Sequence, residues 1–550
     1  MQFYKRNDWI PLRRGPFIPA LVYAIFLFIP IRPWLRWDFK EIFPLPYFLR
    51  DDSIFYLRQI KVMAESGKSF GNPYWLEHSK DGMGISDSWI TWFIARFMNI
   101  LSMNIFQTYF VTLAIVGFLT YIVIYNLCRS FEFSVIQSHC VTFFITYLQL
   151  PLDLLRPSPS QLLLPVVIFG VTLNQLQYKR PNHSFRQMLI VVILIFLFLT
   201  NPIYAVFLAV HGTILAASRK ETFLRFVKVM SLPFIFGALV TYFTKMSTDI
   251  SALETQKRLG FIHTHLPGAL RTSLVSTMFI AILIFVVLRK QERQALLLIQ
   301  VLITLLIAVN SQVITGRWWE MESHYSMITR ILFTASFAHF IFRLKFKVLK
   351  MFLASILVIY FSFSSIANIK NGIDVTKANQ SINKKQSEII QSLASEKFAS
   401  KVILVRQNGS IAPINPVYVL FTKSYMYWDS YGPNFNVTDH EVLSRFACTT
   451  NQTLTYDEFL KRSGEMYIHR FSNPDSFFPK WDKLFELLGS KKYSSEKNRI
   501  LGETFEAIYE VRARDCGLNK SRYRIDYVLD ENLQLSSIEN LVNLADEKLG

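Results

Sequence analysis

The stretch "NIFQTYFVTLAIVGFLTYIVIYNL", residues 104–127, contains no Asp, Glu, Lys or Arg. As a helix it would rise about 1.5 Å per residue, enough to cross the roughly 30 Å hydrocarbon core of a bilayer. Apolar runs of similar character recur near 17–31, 135–150, 160–177, 187–200, 203–217, 229–243, 272–288, 294–309, 328–342 and 351–368. The expected fold is therefore an α-helical polytopic membrane protein with about eleven transmembrane helices. Several runs are shorter than the roughly 20 residues an upright span needs, so some are expected to be re-entrant or merged. Between 187–200 and 203–217 the pair Asn201-Pro202 predicts a tight hairpin, because the residue before proline disfavours helical continuation.

Composition points the same way. The chain has 550 residues, 51% of them hydrophobic and 49 of them Phe. Its mean hydropathy is +0.27, too apolar for an ordinary soluble domain.

The formal charge of +19 has a simple distribution if the N-terminus is cytoplasmic. Inner loops then carry Lys5, Arg6, Arg13, Arg14, Arg129, "YKRPNHSFR", "SRKETFLRFVK", "RKQER" and "FRLKFKVLK". The short outer loops carry only a handful, such as Arg156, Lys245, Lys257, Arg258 and Arg317. This is the positive-inside asymmetry, and it accounts for the charge without a nucleic-acid partner. Anionic headgroups of membrane lipids remain a secondary target. The first run ends in "IPIRPW" and lacks a small-x-small cleavage site, so it is expected to stay as an anchor.

An odd number of spans puts two large segments outside: a first loop over 32–103 and a C-terminal region over 369–550. The transmembrane domain is thus 1–368. The C-terminal region reads as an extracytoplasmic α/β domain, with "KVILVR", "VYVLF" and "YRIDYVL" as short buried strands. "TYDEFLKR" carries a capping box, Thr455 at the N-cap and Glu458 at N3. Cys448 and Cys516 both fall in this domain, where an oxidising compartment permits a bridge. Three Asn-x-Ser/Thr sequons, at Asn408, Asn436 and Asn451, would be used only in a eukaryotic secretory setting.

In the first outer loop, "DDSIFYLRQIKVMAESGK" begins with Asp51 and Asp52 and repeats apolar residues at Ile54, Leu57, Ile60 and Met63. That is a helix with acidic residues at its head, and capping is what acidic residues there ordinarily do. "SWITWFIARFMNIL" makes a second helix, whose tryptophans and Arg96 suit the membrane interface. The expected picture is two interfacial helices framing a turn, with both carboxylates at the outer surface.

This organisation resembles the GT-C superfamily of polyprenyl-phosphate-sugar-dependent membrane glycosyltransferases. The local carriers are "DDSIFYLRQI", "GNPYWLEH", the later outer loop "TGRWWEMESHYSMITR" and "YRIDYVLDE" near the C-terminus. "YWDSYGPN", Tyr427 to Asn434, is similar to the Trp-Trp-Asp-Tyr-Gly motif of the superfamily's oligosaccharyltransferases but has an extra serine after Asp429. The resemblance implies transfer of a sugar from a polyprenyl-phosphate donor to a glycan, lipid or protein acceptor on the extracytoplasmic face. It implies Asp51 or Asp52 as the catalytic carboxylate, and Mg²⁺ or Mn²⁺ as the cation the pair would suit if one is bound. A bacterial inner membrane is the expected location.

The chemistry follows. An acceptor hydroxyl needs a base within hydrogen-bond reach, and the departing lipid phosphate needs preorganised cations. Arg58, Arg317, Arg330 and His324 are the candidates, with Trp318 and Trp319 available for sugar stacking or as an aromatic belt. His263 and His265 lie on another outer loop without an acidic or Cys partner nearby in sequence. Apart from His139, His211 and His339 the span centres lack titratable groups, which argues against ion-coupled transport. A lipid-linked glycan polymerase or ligase, a glycan scramblase and a non-catalytic scaffold remain as alternatives.

Overall fold

The structure is a computed structural model. It describes residues 15–28, 52–66, 75–78, 89–149, 158–179, 184–217, 321–344, 384–406, 422–428, 437–449, 455–462 and 493–516, with 346–370 and 523–538 in part and a few isolated positions such as 254, 262–263, 317–318, 420 and 432. It is mostly helical with a small sheet.

The N-terminal part is a helical assembly. Helices α1 (Phe17–Phe28), α2 (Asp52–Ser66), α3 (Trp89–Ile100), α4 (Ile105–Ser130), α5 (Val135–Phe143), the short α6 (Pro159–Leu162), α7 (Leu164–Lys179), α8 (Ser184–Thr200), α9 (Pro202–Ala217) and α10 (Met321–Arg343) follow in order. Helix α4 is its axis, packing against α1, α5 and α7. Gly117 lets α1 approach, since a Cβ there would lie 2.5 Å from a methyl of Leu27.

The helix ends are set by local chemistry. Asn104 and Gln107 form a capping box at the start of α4, and Ser134 and Gln137 do so at α5. Helix α4 stops in a Schellman turn. The Phe133 N–H donates to Cys128 O at 3.3 Å and the Glu132 N–H to Arg129 O at 3.0 Å. Glu132 takes the left-handed position at φ 68° that glycine usually fills. Helix α5 passes into a π-helical turn over Phe144–Gln149, where the Tyr23 hydroxyl of α1 donates to Thr146 O at 3.0 Å. That hydrogen bond ties α1 to the end of α5.

Among the described residues, α4 is the one helix long and apolar enough to cross a membrane, and Phe17–Leu27, Ser184–Thr200 and Ile203–Ala216 are shorter apolar helices. The helix boundary expected at Asn201-Pro202 is present, with Asn201 O accepting from the N–H of Tyr204 at 3.0 Å and α8 packing on α9. The run 272–288 lies outside the described residues, as do most of 229–243 and 294–309.

The C-terminal domain has a four-stranded mixed sheet of order β4-β3-β5-β6, made from β3 (Val402–Val405), β4 (Tyr425–Met426), β5 (Tyr527–Leu529) and β6 (Leu535–Ser537). Strand β3 is parallel to β4 and β5, and β6 returns antiparallel on β5. "KVILVR" and "YRIDYVL" thus supply adjacent strands; of "VYVLF" only Leu420 is described, buried in a helical turn. Helices α11 (Lys384–Leu393), α12 (Asp439–Ala447), α13 (Tyr456–Arg462) and α14 (Tyr493–Asp515) complete the domain, with α14 packed on α12 and α13. The capping box is formed: Thr455 N–H donates to Glu458 at 2.9 Å and Glu458 N–H to Thr455 Oγ1 at 3.3 Å.

Cys448 and Cys516 are joined by a disulfide, tying the C-terminal end of α12 to that of α14 across 68 residues of chain. By loop-closure entropy a bridge of that length contributes about 4 kcal/mol. Converting both cysteines to serine, or adding dithiothreitol, is expected to lower the domain's stability by about 2–4 kcal/mol. Chemical unfolding followed by tryptophan fluorescence checks this; equal midpoints with and without reductant would refute it.

Candidate functional site: the joint between the first outer loop and the C-terminal domain

Most of the described side chains of α2 are buried. Ile54, Leu57, Ile60 and Met63 are buried as expected, but so are Arg58, Gln59 and Lys61. The reason lies in the C-terminal domain. Arg58 donates through Nη1 to Thr422 O and through Nη2 to Ser424 O, both at 3.0 Å. Lys61 Nζ donates to the same Thr422 O at 2.9 Å. Two cations one turn apart thus bind the chain that leads into β4, while the opposite face of α2 packs on α3 and α4. Helix α3 is fastened in turn by Asn99, whose amide donates to Ala64 O at 2.9 Å.

The burial has an electrostatic cost. Desolvation, reinforced by the neighbouring Arg58, lowers Lys61 to about 7, although Glu65 pulls the other way.

A second contact is stronger. The segment "WLEH", Trp75 to His78, meets the start of α12 around the guanidinium of Arg445, whose side chain is fully buried. Arg445 Nη2 donates to Glu77 Oε2 at 2.7 Å, Nε to Glu441 Oε1 at 2.8 Å and Nη1 to Tyr427 O at 3.1 Å. Its central carbon lies 4.3 Å from the ring centre of Tyr523, 4.6 Å from that of Trp75 and 5.4 Å from that of Tyr427. His78 Nε2 closes on Glu441 Oε2 at 2.8 Å, and the Arg524 N–H reaches Glu77 Oε1 at 3.2 Å. Burial would raise Glu441, but His78 and Arg445 overcome it and hold the carboxyl below the usual glutamate range.

Beside this cluster Trp75 stands 6.0 Å from Trp428, centre to centre. Gly432 lies against the Trp75 ring so closely that a Cβ would sit 2.2 Å from Cε2. "GNPYWLEH", "YWDSYGPN" and "YRIDYVLDE", far apart in sequence, therefore converge on one residue. A third outer contact comes from Glu254, whose carboxylate accepts the Asp439 N–H at 2.7 Å in the first turn of α12, where the helix dipole favours negative charge.

The expected site residues fall around this joint to different degrees. Asp52 opens α2; Asp51, Trp319 and His265 lie outside the described residues. Arg317 and Trp318 form strand β2, which pairs antiparallel with β1 (Ile262–His263) in the register Ile262 to Trp318 and His263 to Arg317. Two outer loops quoted separately above are thus hydrogen-bonded to each other. His324 lies in the first turn of α10, and Arg330, half-buried, nearly two turns further on. Arg58, expected at a phosphate, has two of its nitrogens on the carbonyls of the C-terminal domain. No group of three His, Cys, Asp or Glu side chains suited to a metal occurs among the described residues.

Arg445, Lys61, Glu77 and Glu254 were not singled out by the sequence. The one signal for Arg445 is Glu441 at i−4 on an amphipathic helix, a pattern common on solvated faces. No family model matches the chain, and no curated protein matches it.

Two outcomes follow. Arg445→Met leaves Glu77 and Glu441 without their buried cation and should cost about 3–5 kcal/mol, read as a lower melting temperature and faster proteolysis between 78 and 437; an unchanged melting temperature would refute the joint. For Lys61, the unfolded chain binds more protons than the folded one between about 7 and the ordinary 10.5, so its contribution to stability grows as pH rises through that window. Lys61→Met should therefore stabilise the protein by about 1–3 kcal/mol below that window. The advantage should shrink as pH rises, in melting curves taken across the range.

Proposed function

We propose that the chain is a polytopic membrane glycosyltransferase of the GT-C type, transferring a sugar from a polyprenyl-phosphate donor to a glycan, lipid or protein acceptor at the extracytoplasmic face of a bacterial inner membrane. The observation that carries this reading is the fastening of the acidic-headed helix α2 to the C-terminal domain by Arg58 and Lys61. A reacting carboxylate needs a rigid mount, because misplacement by an ångström costs orders of magnitude in rate. Helix α2 is clamped on one side by the helical assembly and on the other by the sheet domain.

Exposure of apolar side chains supports the membrane part. On α1, Ile18, Leu21, Val22 and Ile25 are all more than half exposed, at the spacing of one helical face, while Ala20, Tyr23, Ala24 and Leu27 on the other face are buried. An apolar stripe turned outward is costly in water and favourable in lipid. The disulfide supports an oxidising, extracytoplasmic location for the C-terminal domain.

In this mechanism Asp51 or Asp52 takes the acceptor proton as the glycosidic bond forms. Arg317, His324 and Arg330 face the donor phosphate, Trp318 and Trp319 stack on the sugar, and Arg58 is a positioning residue for α2. Two adjacent carboxylates would suit Mg²⁺ or Mn²⁺.

Asp51→Asn and Asp52→Asn decide the reading. At least one should lower transfer from a polyprenyl-phosphate sugar by about 10²–10⁴-fold, with the melting temperature and disulfide unchanged. Full transfer by both variants would remove the aspartates from the reaction; no transfer by the wild-type chain would sink the reading and favour a scramblase or scaffold.

A further inference from the structure

At the opposite end of the helical assembly, the C-terminal ends of α4, α7 and α10 converge on the Schellman turn at Glu132. Lys179 Nζ of α7 donates to Ser130 O at 2.7 Å and to Glu132 Oε1 at 3.0 Å. Arg129 donates to Phe133 O. Arg343 at the end of α10 reaches Glu132 Oε2 only at 3.9 Å, beyond hydrogen-bond distance, and its side chain is one-third exposed. Lys179 and Arg343 thus flank one carboxylate, with Arg129 on the neighbouring Phe133 carbonyl of the same turn, three cations to one carboxylate among these residues. Lys347 is exposed one turn further on, and Lys350 curls back to donate to Phe342 O at 3.1 Å.

Apolar side chains stand outward on both sides of this corner. Ile136 is 76% exposed and Val135 43%, just after the Schellman turn; Phe346 is 74% and Val348 77%, just after Arg343. A free anion has no use for such flanks. A phospholipid has, because its acyl chains would lie along them while its phosphate meets the cations.

We propose that the corner formed by Arg129, Lys179 and Arg343 binds the phosphate headgroup of an anionic phospholipid, on the face opposite the joint. Glu132 pairs with Lys179 and cannot neutralise all three cations, and Arg343, which makes no hydrogen bond among the described residues, supplies guanidinium donors that a phosphate takes. The inference rests on the membrane reading above.

The test uses the full chain purified in a neutral detergent. Native mass spectrometry reads the lipid retained after titration with phosphatidylglycerol or with phosphatidylcholine, and carbonate extraction of the source membranes runs in parallel. Wild type should retain phosphatidylglycerol preferentially. Arg343→Gln should weaken that retention about fivefold, the effect of one surface charge, and Arg343→Lys should restore part of it. Lys179→Gln should weaken it too, but it also disturbs the turn, so Arg343→Gln decides, provided its melting temperature in phosphatidylcholine matches wild type. Equal retention of the two lipids, or wild-type retention by Arg343→Gln, overturns the proposal, as does displacement of phosphatidylglycerol by millimolar inorganic phosphate, which would mark a free-anion site. A chain released by carbonate overturns the membrane reading and this site together; a carbonate-resistant chain without lipid preference overturns the lipid site alone.

Discussion

The guanidinium of Arg445 is enclosed by two carboxylates, a backbone carbonyl and three aromatic rings, and the attachment of the first outer loop to the C-terminal domain depends on it. A cation taken out of water loses several kcal/mol of solvation, which only well-placed partners return. Here the partners come from both sides of the joint. Glu441 and Tyr427 belong to the C-terminal domain, Glu77 and Trp75 to the loop. Without the loop, Nη2 loses the Glu77 carboxylate and one face of the guanidinium loses Trp75, so docking the loop completes the arginine's set of partners. The planar fork of arginine suits this role, donating in its plane to oxygens while its faces meet Trp75 and Tyr523.

The α2 contact works by a different balance. Arg58 and Lys61 donate to carbonyl oxygens of the C-terminal domain, whose partial charges repay less of the desolvation than carboxylates do, and Glu65 approaches Lys61 only to 3.7 Å from the same helix. Lys61 carries the consequence in its lowered affinity for a proton. The two contacts therefore differ in kind. Arg445 is a compensated ion cluster, whereas α2 is held by a polar seam in which a buried lysine bears the cost of its charge.

What could be read in the sequence was local. The strands "KVILVR" and "YRIDYVL", the Thr455–Glu458 capping box, the helix boundary at Asn201 and the long apolar helix capped at Asn104 each depend on residues a few positions apart. The Cys448–Cys516 bridge was legible because only two cysteines fall in the domain. The joint was not legible, because Glu77 and Arg445 are 368 residues apart. The apolar period of α2 identified one buried face, but Arg58 and Lys61 looked like a solvated one, and only the docking of another domain reverses that. Pairing of β1 with β2 was likewise hidden, as two residues per strand leave no alternating pattern to detect.

Acid acts on both contacts with the same sign. A carboxylate held below its usual range, as Glu441 is, contributes stability that is present above the unfolded-state value and lost as pH falls through the folded one. Lys61 bears its full desolvation cost once it is charged below about 7. Falling pH therefore loosens the polar seam first and the ion cluster later, since lysine charging near neutrality precedes carboxylate protonation. The loop then passes through a stage in which α2 is loosened while Trp75 to His78 remain clasped on Arg445. Because Arg58 and Lys61 lie on α2 and the clasp does not, loosening of α2 should precede loss of the fold, a separation that follows from how differently two buried cations are compensated.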